Sequence, residues 1–209
     1  MNVVLFGATG MVGSRILNEL ISRGHHVTAV ARDPGKAVAS PLVQALQGDV
    51  LNSTDVARLA KGADAVVSAY SPGMEEPEKL NDAVKSLLTG LKQAGVKRLL
   101  MVGGAAGLEA APGLRLIDTP NFPAEWKGIA QAHIHAYEIL KTADLDWTYF
   151  NPAALIQPGQ RTDKFRLGKD VIVVDEKGTS SISTEDYAIA MVDEVEHPQH
   201  IRQRFTIGY

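Results

Sequence analysis

The feature that most constrains this chain is an apolar run that passes through a glycine-rich turn into a helical pattern. Residues Met1–Phe6 are largely apolar and β-branched, as in a buried strand, and Gly7–Gly13 reads GATGMVG. The apolar residues that follow recur at helical spacing: Ile16, Leu17, Leu20 and Ile21. This order predicts a strand, a tight turn and a helix whose free N–H groups and dipole converge on one point.

This convergence of N–H groups favours the binding of a diphosphate, because several backbone N–H groups can bind it without the help of lysines. Gly7 would allow the tight turn, Gly10 the approach of the backbone to the phosphates, and Gly13 the close packing of helix on strand. We therefore predict a dinucleotide site, with contacts from Gly7, Thr9, Gly10, Met11, Val12 and Gly13.

Composition narrows the class of protein. The 209 residues include no cysteine, which excludes disulfides, thiolate metal sites and a cysteine nucleophile. The six histidines show no spacing typical of a zinc protease, and we predict no metal. A net charge of −3 without a basic stretch argues against nucleic-acid binding, and no apolar run approaches the ~20 residues of a membrane span. We expect a cytoplasmic protein with small-molecule partners, either a monomer or a homodimer.

Strand and helix patterns alternate along most of the chain, which is typical of a parallel sheet covered by helices. Further strands are predicted at 26–31, 42–47, 64–68, 98–102 and 146–150, and helices at 53–60, 77–94, 124–142 and 184–196. The predicted fold class is α/β, a Rossmann-type doubly wound parallel sheet in a single domain spanning 1–209.

The pattern changes beyond Gln157. Short strands are predicted at 165–167 and 171–174, joined by Gly168–Asp170, and an edge strand is predicted at 204–207. We expect residues 155–209 to contribute a small C-terminal lobe at the carboxyl edge of the sheet, where doubly wound folds bind ligands.

The end of the second strand discriminates between the two dinucleotides. An acid there bonds the ribose 2′-hydroxyl of NAD, whereas an arginine accommodates the 2′-phosphate of NADP. The chain has Arg32 at this place, with Asp33 and Lys36 close behind and Arg15 on the first helix. NADP(H) is therefore favoured over NAD(H), although Asp33 could hold a ribose hydroxyl and admit NAD(H).

Residues at the ends of later strands supply further expected contacts. Asp49 and Val50 follow the third strand, where an adenine ring would lie, and Ala69 and Tyr70 follow the fourth. The small residues beside Tyr70 suit a close approach of backbone to cofactor. For Asp49 two interpretations remain open: it accepts from the adenine amine, or it caps the next helix.

Taken in order, the motifs of the chain resemble those of the atypical short-chain dehydrogenase/reductases. They are GATGMVG at Gly7–Gly13, ARDPGK at Ala31–Lys36, GDV at Gly48–Val50 and LDWTYFNP at Leu145–Pro152. Within that superfamily the chain is similar to the NAD(P)H-binding group that includes NADH-flavin reductases, biliverdin reductase B and nitrogen metabolite repressor-like proteins. The resemblance covers Asn2–Phe205 and specifies the cofactor better than the substrate.

The resemblance also implies where the nicotinamide lies. It assigns contacts at the ends of the fifth and sixth strands to Val102, Gly103, Gly104, Asn151, Pro152 and Ala153. Ordinary members place a catalytic serine or threonine just after the fifth strand, where this chain has no hydroxyl. They also carry a Tyr-x-x-x-Lys pair. Tyr137 and Lys141 match that string, but the family register falls at 127–131, where no tyrosine occurs.

Three residues are candidates for chemistry: His133, Tyr137 and Lys141. His133 lies one turn before Tyr137, where the biliverdin reductase B-like pattern also has a histidine. Its imidazole could donate to a substrate carbonyl or relay a proton, or it could be a buried structural histidine. Tyr137 and Lys141 either transfer a proton or form an ordinary helix face.

These features favour an NAD(P)H-dependent oxidoreductase of the flavin or quinone reductase type, because hydride transfer to a planar acceptor tolerates a site without a dedicated proton donor. FMN or FAD would then be substrates. The alternative is a non-catalytic NAD(P)-sensing regulator of the nitrogen metabolite repressor-like type, which the empty catalytic positions favour. A further alternative is an epimerase or dehydratase that uses Tyr137 and Lys141.

Overall fold

A computed structural model describes residues 1–209 and shows an eight-stranded, mostly parallel sheet with helices on both faces. The strands are β1 Asn2–Phe6, β2 His26–Ala31, β3 Val43–Gln47, β4 Ala65–Ser68, β5 Arg98–Val102, β6 Glu109–Ala111, β7 Leu114–Arg115, β8 Asp146–Asn151, β9 Leu155–Gln157, β10 Arg166–Gly168, β11 Ser181–Ser183 and β12 Gln203–Gly208. The helices are α1 Met11–Ser22, α2 Ser53–Ala60, α3 Lys79–Ala94, α4 Lys127–Lys141 and α5 Thr184–Glu196. The predicted Rossmann-type class is confirmed.

The strand order is β10-β12-β8-β5-β4-β1-β2-β3, and only β10 runs antiparallel to its neighbour. The chain builds outward from β1 in two directions, since β1 pairs with β2 on one side and with β4 on the other. Such a reversal opens a crevice at the carboxyl ends of the strands, which is where doubly wound sheets bind ligands.

Two apolar layers hold the helices on the sheet. On one face α2, α3 and α4 bury residues such as Leu87, Leu91 and Trp147, and on the other α1 and α5 bury residues such as Leu17 and Met191. Full burial of each large apolar side chain contributes about 1.5–3 kcal/mol. These layers fix the ends of the strands relative to one another.

The helix ends follow local sequence signals. The Asn52 side-chain oxygen accepts from the N–H of Thr54 at 2.9 Å, and the Ser183 hydroxyl accepts from the N–H of Asp186 at 3.0 Å. Each satisfies an N–H group that the first turn would otherwise leave free. Gly95 ends α3 in the left-handed region at φ 73°.

The segment after Gln157 corrects two predictions. Residues 171–174 form no strand: their strand-like pairing is limited to an isolated bridge between Val171 and Glu109, and Val173 packs against Gly168 and Gly208. The edge of the sheet is β10 rather than β12, which lies between β8 and β10. Residues 155–209 therefore place two strands in the main sheet, while β9 and β11 pair separately. No helix combines the length and apolar character needed to cross a membrane.

Candidate functional site: a cleft at the carboxyl ends of the strands

A cleft of about 460 Å³ opens where the strand order reverses. The expected cofactor residues that line it are Gly7, Thr9, Gly10, Met11, Val12, Arg32, Asp49, Val50, Ala69, Tyr70, Val102, Gly103 and Pro152. Residues that line it without having been predicted are Phe6, Val30, Ala31, Gly48, Ser71 and Ile156. Most of these unpredicted residues lie next to the predicted turns, so the rule that ligands bind at the carboxyl ends of the strands could have predicted them. Ile156 comes from β9, and no local signal marks it.

The glycine turn is fixed by backbone contacts. Gly7 has φ +78°, and a Cβ atom added to it would lie 2.7 Å from the carbonyl oxygen of Ala69. A Cβ atom on Gly13 would lie 2.0 Å from the carbonyl oxygen of Gly7, so α1 could not approach the turn. The absence of a side chain at Gly13 therefore lets α1 approach the turn, and any contact of Gly13 with a ligand would be made by its backbone N–H.

The N-terminus of α1 faces this cleft without an internal partner. Gly10, the residue before the helix, makes no side-chain cap, and no acidic residue lies in the first turn. The N–H groups of Met11, Val12 and Gly13 consequently have no acceptor in the chain. Free donors and the positive end of a twelve-residue helix suit a diphosphate.

Arg32 stands at the adenosine end of the cleft. Its side chain is exposed and makes no ion pair, whereas Asp33 pairs with Lys36 at 3.4 Å. Arg15 does not line the cleft, because it pairs with Glu185 of α5 at 3.1 Å. Arg32 is therefore the cation that remains available for a 2′-phosphate.

The structure separates the two interpretations of Asp49. One carboxylate oxygen accepts from the N–H of Leu51 at 2.9 Å, and Asn52, not Asp49, caps α2. The other oxygen has no partner in the chain. Asp49 also lines the cleft, as does Tyr70, whose burial raises the pKa of its hydroxyl. The geometry thus leaves an acceptor where an adenine amine is expected.

The positions where ordinary members carry a catalytic hydroxyl are filled by other side chains. A Cβ atom on Gly103 would lie 2.7 Å from Cε1 of Tyr149, and one on Gly104 would lie 2.8 Å from Cγ of His133. Real Cβ atoms do not come this close to ring carbons, so a serine would have to displace a ring. The missing hydroxyl has a steric cause.

Three of the expected nicotinamide contacts do not line the cleft. Asn151 is 2 % exposed, and its side-chain N–H donates to the carbonyl oxygen of Gly104 at 2.5 Å. Ala153 is 1 % exposed, and Gly104 packs beneath His133. These residues lie behind the wall of the cleft, and their contact with the nicotinamide stays an expectation from the resemblance.

His133 lines the cleft at the carboxyl end of β5. Its Nδ1 lies 2.9 Å from the hydroxyl of Tyr149, which donates at 2.9 Å to the carbonyl oxygen of His133. Burial lowers the pKa of the imidazole to about 4, so the ring is neutral at pH 7. Of the roles expected for His133, hydrogen bonding to a substrate and a structural role are both compatible with a neutral ring.

Tyr137 and Lys141 lie outside the cleft, which favours the interpretation of an ordinary helix face over that of a catalytic pair. They line a second cavity of about 290 Å³, since α4 runs away from the carboxyl edge and moves each successive turn ~5.4 Å deeper. Lys141 pairs with Glu138 at 2.6 Å, and burial raises the pKa of Tyr137, whereas proton transfer would need it lowered. No group of three or more His, Cys, Asp or Glu side chains could hold a metal ion.

An uncapped helix N-terminus at the crossover of a doubly wound sheet defines a dinucleotide-binding protein of the Rossmann class. The NAD(P)H-binding family model matches residues 7–198, and the chain belongs to that family.

Solved structures with the same fold carry different descriptions. An exported protein of Burkholderia pseudomallei, so named only provisionally, is 50 % identical with a TM-score of 0.92, and each chain is covered in full. A provisional epimerase of Bacteroides thetaiotaomicron is 45 % identical with a TM-score of 0.94 over 100 % of this chain and 96 % of that one. A provisional NADH-flavin reductase of Streptococcus pneumoniae is 32 % identical with a TM-score of 0.87 over 100 % and 99 %. The family thus specifies the cofactor and leaves the reaction open.

Proposed function

We propose that this protein is an NAD(P)H-dependent reductase that transfers a hydride to a planar acceptor such as a flavin or a quinone. The observation that carries the proposal is the difference between the two ends of the cleft. Free N–H groups of α1 and an unpaired Arg32 favour a dinucleotide, while His133 is neutral and Tyr137 lies outside the cleft. When bound, NAD(P)H supplies the hydride, and the chain orients the acceptor against it.

We infer the type of acceptor from the lack of a suitable proton donor at the end of the cleft where His133 lies. In related folds, reduction of a carbonyl group to an alcohol and epimerisation both rely on a tyrosine whose pKa is lowered. In this chain, the pKa of Tyr137 is raised instead. Flavins and quinones delocalise the added electrons and can take the proton from water. The Streptococcus pneumoniae relative, provisionally named for NADH-flavin reduction, supports the same choice.

NADP(H) is the proposed cofactor, with FMN or FAD as a substrate. Arg32 is exposed and free of ion pairs at the place where a 2′-phosphate would lie. A guanidinium–phosphate hydrogen bond is charge-assisted and roughly twice as strong as a neutral one.

The test is steady-state oxidation of NADPH and of NADH with FMN, riboflavin and menadione as separate acceptors. We expect turnover with at least one acceptor, and a lower KM for NADPH than for NADH. Calorimetric titration with both cofactors, run alongside, reports binding without chemistry. Binding of NADPH with no turnover on any planar acceptor would overturn the reductase and favour the alternative, a non-catalytic sensor.

A further inference from the structure

One hydrogen-bond chain determines which ring nitrogen of His133 carries the proton. The hydroxyl of Tyr149 lies 2.9 Å from the His133 carbonyl oxygen and 2.9 Å from Nδ1 of the same residue. A tyrosine has one proton to donate. If it went to Nδ1, two oxygens would face each other at 2.9 Å with no proton between them. Donation to the carbonyl leaves Nδ1 to donate its own proton to the hydroxyl, so that both contacts are satisfied.

The environment holds this arrangement in place. Tyr149 is 1 % exposed, and burial raises the pKa of its hydroxyl, so the hydroxyl keeps its proton. The His133 ring packs on Gly104, whose carbonyl oxygen accepts from Asn151 at 2.5 Å.

The remaining ring nitrogen, Nε2, therefore has a lone pair and no proton. It makes no hydrogen bond within the chain, and His133 lines both the cleft, beside Gly103 and Pro152, and the second cavity. A neutral ring held in this tautomer can accept a hydrogen bond there and cannot donate one.

We propose that His133, positioned by Tyr149, selects planar acceptors that present an N–H or O–H group and so favours flavins over simple quinones. Oxidised flavins carry an N–H at N3, whereas quinones offer only acceptor oxygens, which Nε2 cannot satisfy. This inference rests on the proposed reductase function and names its substrate class.

The direct test compares riboflavin with N3-methylriboflavin, in which the N–H is blocked. Binding to the protein saturated with NADP+ is followed by flavin fluorescence, and turnover by NADPH oxidation. We expect the wild-type protein to prefer riboflavin by about tenfold, as expected for one hydrogen bond. The added methyl group could also reduce binding by bulk alone, so the preference is measured again in His133→Leu and Tyr149→Phe. We expect it to fall towards one in both variants.

Tyr137→Phe is the matched control, because its ring stacks on Tyr149 at 5.5 Å and its hydroxyl has no partner. The riboflavin preference should stay at the wild-type value in this control. An unchanged preference in His133→Leu and Tyr149→Phe would overturn the inference, and so would a wild-type protein that binds both flavins equally or neither.

A second readout does not depend on turnover. The 15N chemical shifts of the His133 ring report its tautomer, and we expect the proton on Nδ1 in the wild-type protein and a mixture of tautomers in Tyr149→Phe. A proton on Nε2 in the wild-type protein would overturn the inference. Failure of NADPH oxidation with every acceptor would instead contradict the reductase function, and flavin binding together with the tautomer would still decide the role of His133.

Discussion

The two walls of the cleft present different chemical groups, backbone N–H groups on one side and side chains on the other. The near wall, made of the turn Gly7–Gly13 and the start of α1, presents backbone N–H groups and no charged side chain. The far wall, made of Gly103, His133 and the segment around Ile156, depends on side chains that come from β5, α4, β8 and β9. Backbone N–H groups in the near wall suit the diphosphate that all dinucleotides share. Side chains in the far wall can be replaced without disturbing that backbone. Cofactor binding and acceptor choice should therefore be separable by mutation.

The largest effect is expected in the near wall. Gly13→Ala would place a Cβ atom 2.0 Å from the carbonyl oxygen of Gly7, so α1 must move away from the turn. We expect a loss of about 3 kcal/mol in the free energy of unfolding, at the upper end of typical overpacking. Affinity for NADPH should be lost as well, because the N–H groups no longer converge. Urea unfolding and calorimetric titration measure the two effects.

Gly90→Ala is the matched control for Gly13→Ala. A Cβ atom on Gly90 would lie 2.6 Å from the side chain of Val56, which is comparable overpacking between α3 and α2 and away from the cleft. This variant should be destabilised yet bind NADPH with wild-type affinity once folded. If both variants bound NADPH equally well, convergence of the N–H groups in the near wall would not be what binds the cofactor.

The next effect concerns the adenosine end. Arg32→Ala should weaken NADPH binding about 10- to 100-fold, which corresponds to about 1.5–3 kcal/mol for a lost charge-assisted contact. NADH lacks the 2′-phosphate, so its affinity should be unchanged. Lys36→Ala serves as the comparison, since Lys36 pairs with Asp33. Equal losses for NADPH and NADH would show that Arg32 does not read the phosphate.

The near wall was predictable from sequence because its signals are local. An apolar strand, a glycine turn and a helix follow one another in a short stretch, and the residue types of each segment are typical of that element alone. The carboxyl ends of parallel strands meet at one edge, so the sequence alone predicts that Arg32, Asp49 and Tyr70 lie at one site, and all three line the cleft. At Gly13 a packing role and a contact through the backbone N–H leave the same signature in the sequence.

The far wall was less predictable because its contacts are long-range. Nothing in the sequence near His133 indicates that Tyr149 fixes its tautomer, or that the two rings fill the space above Gly103 and Gly104. The pairing of β10 with β12 was missed for a related reason. It joins Arg166 to Gly208 and requires Val173 to pack on glycines of both strands.

The far wall should also be sensitive to acid. Asp186, buried in α5, holds the loop that follows β9 by accepting from the N–H groups of Thr162 at 2.8 Å and Asp163 at 3.0 Å. Burial alone would raise the pKa of Asp186, but hydrogen bonds from Thr162 and Tyr209 outweigh it and lower the pKa below its usual 3.8. The stabilisation is therefore complete above about 3.8, the unfolded value, and is lost as the pH falls through the folded value.

Asp186→Asn tests this dependence. We expect a loss of about 1.5–3 kcal/mol in the free energy of unfolding at pH 7, as for hydrogen bonds to a charged group. The difference from the wild-type protein should begin to shrink as the pH falls below about 3.8, the unfolded pKa, and should vanish once the pH has passed the lower folded pKa. Urea unfolding at pH 7 and pH 3 measures it, with the exposed Asp163→Asn as the control. A difference of the same size at both pH values would contradict the assigned role of the charge.

The smallest effect is expected behind the far wall. Tyr137→Phe removes a hydroxyl that has no hydrogen-bond partner and keeps the ring contacts with Tyr149 at 5.5 Å and Trp147 at 6.0 Å. We expect the free energy of unfolding to change by less than about 0.5 kcal/mol. Because Tyr137 lies outside the cleft, kcat/KM for NADPH oxidation and its pH profile should also stay at wild-type values. A large loss of kcat, with the disappearance of a basic limb from the pH profile, would mean that Tyr137 reaches the acceptor and transfers a proton. The far wall would then work as in ordinary short-chain dehydrogenases, and the division between a binding backbone and a selecting histidine would fail.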